Sequence, residues 1–324
     1  MPFMSGQLTG TTASPATYAF LDLVSNFAVS NGWEVITSNT ATENHFYFLK
    51  GPGLTGEDPV YVGLDTYQSD SAGYYNIAIG CANGYLSTQT YYNQPQFKRI
   101  GIPLAYDRLS YWLHVNAQRI AFVCRVATSY YEHGYAGKFI PYFSPLQYPY
   151  PVFVGGMFGY RIRNESEFNT NVGILAQKKY DYITYQNAPY IGTQHRYHSV
   201  YSPEGNYYSH GGYNGQIYSS FNNKWAACEK ITAGSGPLEH EYTSSELNGN
   251  RPVYNIDLAI IYDAEPRYQL LNAGVYGTLD GVYLIDSKYP EVYAEDTFTV
   301  GDYEFIAFPP VYGKNAEILL QTND

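Results

Sequence analysis

Charge is scarce in this chain. Asp, Glu, Lys and Arg make up 15% of its 324 residues, against about a quarter in an ordinary soluble protein. The charge present leans one way: 29 acidic residues face 18 basic ones, a formal net charge of −11. A surface of that sign repels phosphate backbones and anionic headgroups, which argues against direct nucleic-acid partners and against membrane-surface binding. Cysteine is scarce too. Cys81, Cys124 and Cys228 are odd in number, far apart and in no CxxC pair, so they form neither a disulfide framework nor a zinc knuckle. They suit a protein assembled in a reducing cytoplasm. No run of about 18 apolar residues is present to span a membrane. The opening MPFMSGQLTGTTASP lacks the basic region and apolar run of a secretory leader, so none is expected.

Aromatic side chains fill the gap that charge leaves. Tyr occurs 38 times and Phe 16. Tyrosine packs as a ring yet keeps a hydroxyl for water or a partner, which suits large, half-wet contact surfaces. The competing explanation is strand propensity alone, since Tyr fits a pleated face well. With 45% hydrophobic residues, a sizeable packed core is within reach.

The pattern along the chain predicts a mainly β protein with an N-terminal helix, α+β at its start, and a multi-unit, β-sandwich-like architecture. Residues 1 to about 14 read as an extended arm that orders on contact with a neighbour. Ser14 is a candidate cap, Pro15 suits a first helical position, and Tyr18, Leu21, Val24 and Phe27 recur at helical spacing. Asn31-Gly32 supplies the left-handed stop. Aromatic and β-branched runs then follow, punctuated by Gly, Pro, Asn and Asp. Val115-Asn116-Ala117-Gln118-Arg119 and Gly301-Asp302 read as hairpin turns. The expected units are 1–105, with the helix and a small β unit, and 106–160 with 251–324 as a central and C-terminal β unit. Residues 161–250, rich in Tyr, Asn, Gly and Ser, read as a loop-rich insertion between these.

Candidates for chemistry are weak. His195 and His198 lie three apart, with His210 and His240-Glu241 further along, but a zinc site needs a third ligand on a defined scaffold. Exposed histidines in a polar segment account for them better. Lys50 to Asp58 is glycine-rich, yet Glu57 and Asp58 stand where a phosphate loop needs Lys and Ser or Thr, so a turn between strands is expected. Gly155-Gly156 opens no Gly-x-Ser-x-Gly elbow. Asp257, Asp263, Glu265, Asp280 and Asp286 are carboxylates of the type a glycosidase pairs, but any acidic β protein offers as many. Neither a cofactor nor a metal is expected, and no residue is assigned a catalytic role.

Three stretches carry a resemblance. They are the helix ending in NGWEVI with FLKGPGLTGEDPVYVGLDTY, then YWLHVNAQRIAFVCRVATSYYEHGYAGKFIPYFSPLQYPYPVFVGG, then GVYGTLDGVYLIDSKYPEVYAEDTFTVGDYEFIAF closing with NAEILL. Together they cover roughly half the chain, and they resemble virion structural proteins of tailed bacteriophages with contractile or long tails. FPPVYGK stands where that family carries an Arg-containing, FQNVFR-like segment, so a subunit contact made there would differ. The resemblance implies a virion protein of the tail, neck (collar) or baseplate, assembled in the host bacterial cytoplasm. Its implied partners are copies of itself, as a ring of three or six, and other tail, neck or baseplate proteins. It implies no enzyme activity. The rival readings are a receptor- or carbohydrate-binding tail protein, with aromatics of 160–250 stacking on sugars, and, behind it, a glycan-degrading tail enzyme.

The contact residues expected from the sequence are Tyr142, Phe143, Tyr148, Pro149, Tyr150 and Pro151. A proline-rich loop is stiff and loses little entropy on docking. The alternative has the same residues folding inward to pin the central unit.

Overall fold

The computed structural model describes residues 2–41, 44–69, 74–82, 84–90, 93–95, 97–128, 130–142, 151–155, 198–201, 207–210, 225–227, 253–263, 270–286, 292–308 and 316–323. These form a mainly β structure with a helix near the start, as the sequence predicts. Strand β1 (Phe3–Thr9) precedes helix α1 (Ala16–Ser30). Strands β2 (Glu34–Asn39), β3 (Phe46–Gly51), β4 (Val60–Ser69), β5 (Tyr74–Ala82) and β6 (Lys98–Leu104) make the first sheet, in that order. Next come β7 (Arg108–Val115), β8 (Arg119–Ala127), β9 (Tyr130–Lys138), β10 (Ile140–Pro141), β11 (Val152–Gly155), β12 (His198–Tyr201) and β13 (Tyr207–His210). The rest are β14 (Trp225–Ala227), β15 (Val253–Asp263), β16 (Leu270–Asp286), β17 (Thr297–Val300), β18 (Tyr303–Phe308) and β19 (Ala316–Gln321). The middle sheet runs β1-β7-β8-β9-β11-β12-β13, and the third runs β14-β15-β16-β19-β18-β17, with β10 joined to β16.

The central strands β7, β8 and β9 of the middle sheet are buried on both faces, which is why YWLHV and RIAFVCRV are apolar at nearly every position rather than at every second one. Leu109, Tyr111, Leu113, Ile120, Phe122 and Cys124 point to one side, where they meet Phe20, Leu21 and Val24 of α1 and Val62, Leu64, Ile77 and Ile79 of the first sheet. Ala121, Val123, Tyr131, Tyr135 and Phe153 point to the other. There they meet Leu279, Val282, Ile306, Phe308, Ile318 and Leu320 of the third sheet. Strand pleating alone sends neighbours to opposite faces, so two separate cores share one backbone layer.

The buried stripe of α1 is Ala16, Thr17, Phe20, Leu21, Val24, Ser25 and Ala28. Leu21 and Val24 were expected there, but Tyr18 and Phe27 flank the stripe instead of forming it. Burying Phe20, Leu21 and Val24 contributes about 2 kcal/mol each, so packing holds this helix. Pro15, not Ser14, occupies the N-cap, without a side-chain cap. The Ala16 N–H instead donates to the Tyr106 carbonyl at 2.7 Å, which satisfies one of the orphan donors that a cap would serve. Gly32, at φ 89°, ends the helix in the left-handed conformation, and the indole of Trp33 then donates to the Asn116 carbonyl at 2.7 Å.

The arm expected at residues 1–14 is a correction. Phe3–Thr9 pairs with β7 of its own chain over seven consecutive residues, Phe3 opposite His114 through Thr9 opposite Arg108. The reason lies in its side chains: Met4 and Leu8 pack against the core under α1, and Phe3 against the core on the opposite face. Strand pairing therefore wins over a free arm without any neighbour. Both predicted hairpins are present, β7–β8 around residues 116–118 and β17–β18 around Gly301-Asp302.

Candidate assembly interface

Three polar clusters join the layers of the described residues. Arg119, at the start of β8, is completely buried. Its Nε donates to Asp280 Oδ2 at 3.0 Å, and the same oxygen accepts from Asn116 Nδ2 at 2.6 Å and Gln118 Nε2 at 3.1 Å. One carboxylate on β16 thus gathers three donors from the β7–β8 hairpin. Burial works against its ionisation, but the guanidinium and the two amides outweigh that and hold the carboxyl below its usual range. Beside it, Gly281 sits at φ 67°, and a Cβ there would come within 1.9 Å of an Arg119 nitrogen. Glycine at this position is what lets the guanidinium lie across β16.

On its other side Arg119 contacts His114 Nδ1 at 3.1 Å. Guanidinium only donates, so Nδ1 accepts and the imidazole carries its proton on Nε2. Burial and the adjacent cation push the His114 pKa down to about 2. His133 on β9 is buried too, and desolvation lowers it to about 3. Burial raises both the Cys81 and the Cys124 thiols, so neither is an activated nucleophile.

Two further joints lie nearer the surface. Glu295 binds Arg125 and accepts from the Tyr131 hydroxyl at 2.7 Å, while Arg125 also donates to Ser110 Oγ at 3.2 Å and covers the Trp112 ring. Glu295 has φ 70°, a conformation that costs of order 1–3 kcal/mol in a non-glycine residue, and its ion pair is one of the contacts that hold it there. Lys138 at the end of β9 reaches Asp58 Oδ2 at 2.8 Å. Asp58 also accepts from Thr55 Oγ1 at 2.9 Å. Partial burial opposes ionisation of Asp58, but Lys138 and Thr55 hold it below the usual carboxylate range. The glycine-rich Lys50–Asp58 stretch is therefore a strand-to-strand turn pinned by its own aspartate.

Of the contact residues expected from the sequence, Tyr142 is exposed. Pro151 is half-buried, and its carbonyl accepts the Phe139 N–H at 2.9 Å. That bond and the pairing of Val152 with Lys138 bring the two ends of the 139–151 excursion together at one end of the middle sheet. Phe143, Tyr148, Pro149 and Tyr150 lie outside the described residues. Tyr293 and Tyr303 are more than half or about half exposed, at 62% and 50%, and Val300 lies near them in sequence at 38%. The sequence pattern alone does not single these out.

The remaining sequence candidates are dispersed. Asp280 is committed to Arg119. Asp257 pairs in register with Thr278, Asp263 with Leu270 and Asp286 with Ala316, while Glu265 lies outside the described residues. His198 and His210 stand opposite each other across β12 and β13, while His195, His240 and Glu241 lie outside the described residues. Among the described residues no group of three or more His, Cys, Asp or Glu side chains converges on a possible metal position. No helix there is long and apolar enough to cross a membrane. No protein-family model and no curated protein matches this chain.

Proposed function

We propose that this chain is a non-enzymatic structural component of a tailed bacteriophage particle, in the tail, neck or baseplate, and that it mediates contacts between subunits. The observation that carries the reading is the resemblance of three stretches to virion structural proteins, together with where those stretches fall. The first supplies the end of α1 and β2 to β4, the second β7 to β11, and the third much of β16 with β17, β18 and β19. All three sheets draw on the resembling segments, so the likeness, though it covers about half the chain, is not confined to one separable module. The block suits mechanical duty: the central strands of its middle layer are packed on both faces, and the buried Arg119–Asp280 pair and two ion pairs nearer the surface, Arg125–Glu295 and Lys138–Asp58, join its parts. Tyr142, Tyr293 and Tyr303 leave aromatic surface outside that core, the residue type that protein interfaces favour.

Quantitative mass spectrometry of purified particles tests the reading. The chain should be present at a constant ratio to the major structural proteins across preparations, and the purified chain should release no product from host polysaccharide. Absence from particles, or product release, would contradict it.

A further inference from the structure

β1 is the outer strand of the middle sheet, and among the described residues no strand pairs with its far side. Natural sheets guard such edges with charge, proline, bulges or short length. The other described edges follow that practice. β2 carries Glu34 and a register shift between Val35 and Thr37. The β6 sequence KRIGIPL holds two cations and a proline. β13, β14 and β17 are four, three and four residues long. β1 has seven residues, no bulge and no proline, and the first charged residue of the chain is Asp22.

The direction of its backbone groups follows from the ends of the ladder. Val115 N–H donates to the Pro2 carbonyl and Gly10 N–H to the Asp107 carbonyl. Antiparallel pairs alternate, so Met4, Gly6 and Leu8 also bond inward to β7. Phe3, Ser5, Gln7 and Thr9 turn their N–H and C=O groups outward. Beside this edge runs an open groove of about 550 Å³ between the outer flank of α1 and β1, lined by Met4, Ala19, Leu23 and Phe27 with Asp22, Asn26 and Ser30 at its polar positions. Asp22, the one charge in the groove, is engaged by the Tyr47 hydroxyl at 2.7 Å.

We propose that this edge is a self-association site, at which β1 pairs antiparallel with β1 of a second copy about a two-fold axis at Gly6. The strand is complementary to itself in that register. Phe3 meets Thr9 and Ser5 meets Gln7, so every outward-facing backbone group finds a partner. Met4 meets Leu8 on the α1 side, where each fills the apolar part of the groove. Gly6 meets Gly6, so no side chain stands at the axis; the Tyr111 hydroxyl lies 2.7 Å from where a Cβ would sit, and a larger residue would have to push it aside. With no charge in the strand, no like-charge repulsion opposes the pairing. Such a joint is isologous and makes dimers; a ring would be built from those dimers through another surface. The proposal concerns the purified chain alone and does not depend on the particle reading.

Sedimentation equilibrium of the full chain at high micromolar concentration should give a dimer, and a monomer would overturn the proposal. Ser5→Pro removes one outward N–H while leaving every bond to β7, so it should yield a monomer that melts near the parent; a dimer that survives it would place the interface elsewhere. A cross-link decides if that variant fails to fold. In chains carrying Cys228→Ser, Ser5→Cys mixed with Gln7→Cys should oxidise to a disulfide-linked heterodimer, because residues in a hydrogen-bonded antiparallel pair lie about 5.5 Å apart, within disulfide reach. Neither chain alone should cross-link. No cross-link in the mixture, or equal cross-linking of either chain alone, would overturn the register and with it the site.

Discussion

Arg119 depends on Asp280, because a guanidinium removed from water must keep its counter-charge. Asp280→Asn conserves shape but strands that cation, and should cost about 3–5 kcal/mol, read as a lower urea midpoint. Pairing it with Arg119→Met should recover most of the loss, since the unpaired charge is gone. The buried histidines set a pH dependence. The folded-state pKa values of His114 and His133 lie near 2 and 3, below the unfolded value of about 6.5. Above that pH both states are neutral and nothing is lost. As pH falls below it, the unfolded chain takes up protons that the folded chain refuses, so stability declines by about 1.4 kcal/mol per pH unit for each histidine. Unfolding free energy measured from pH 7 to pH 5 should show that decline, and His133→Gln should roughly halve its slope. The carboxylates of Asp280 and Asp58 act lower down: their depressed pKa values add stability above about pH 3.8 that disappears only below it.

Strands and turns show which parts of the fold the sequence discloses. Helix α1, its glycine stop and both hairpins were legible, because each rests on local chemistry: helical spacing, a left-handed glycine, a Gly-Asp turn. The fate of residues 3–9 was not. FMSGQLT reads as a polar arm until Leu109, Tyr111 and Leu113 from a hundred residues away supply a face and an edge for it. The Arg119–Asp280 joint was equally hidden, since its partners are 161 positions apart and either alone is an ordinary surface residue. Of the contact residues expected from the proline-rich loop, Tyr142 is exposed and Pro151 is anchored by its carbonyl, while Phe143, Tyr148, Pro149 and Tyr150 lie outside the described residues. The ladder makes its own prediction. By hydrogen exchange, the Met4, Gly6 and Leu8 amides should be protected in dilute solution, where Ser5, Gln7 and Thr9 exchange quickly. Uniform fast exchange across 3–9 would restore the free arm.

The described residues form three sheets, and two of their hydrophobic cores share the middle layer. Such an arrangement should unfold as a unit, because neither outer layer can leave without exposing one face of the middle sheet. Trp33 belongs to the core on one face and Trp112 packs against the core on the other. Fluorescence of variants keeping only one of these tryptophans should follow the same denaturant curve, and separated midpoints would mean that the layers are independent. A block of this kind makes sense as a building part, and the test of that claim is its place in a particle. Immunogold electron microscopy with antibody against the chain, on intact and disrupted phage particles on one grid, addresses it most directly. Label confined to the neck, tail or baseplate, on intact particles or appearing once they are disrupted, is the result expected. Particles unlabelled in both states would contradict the assignment.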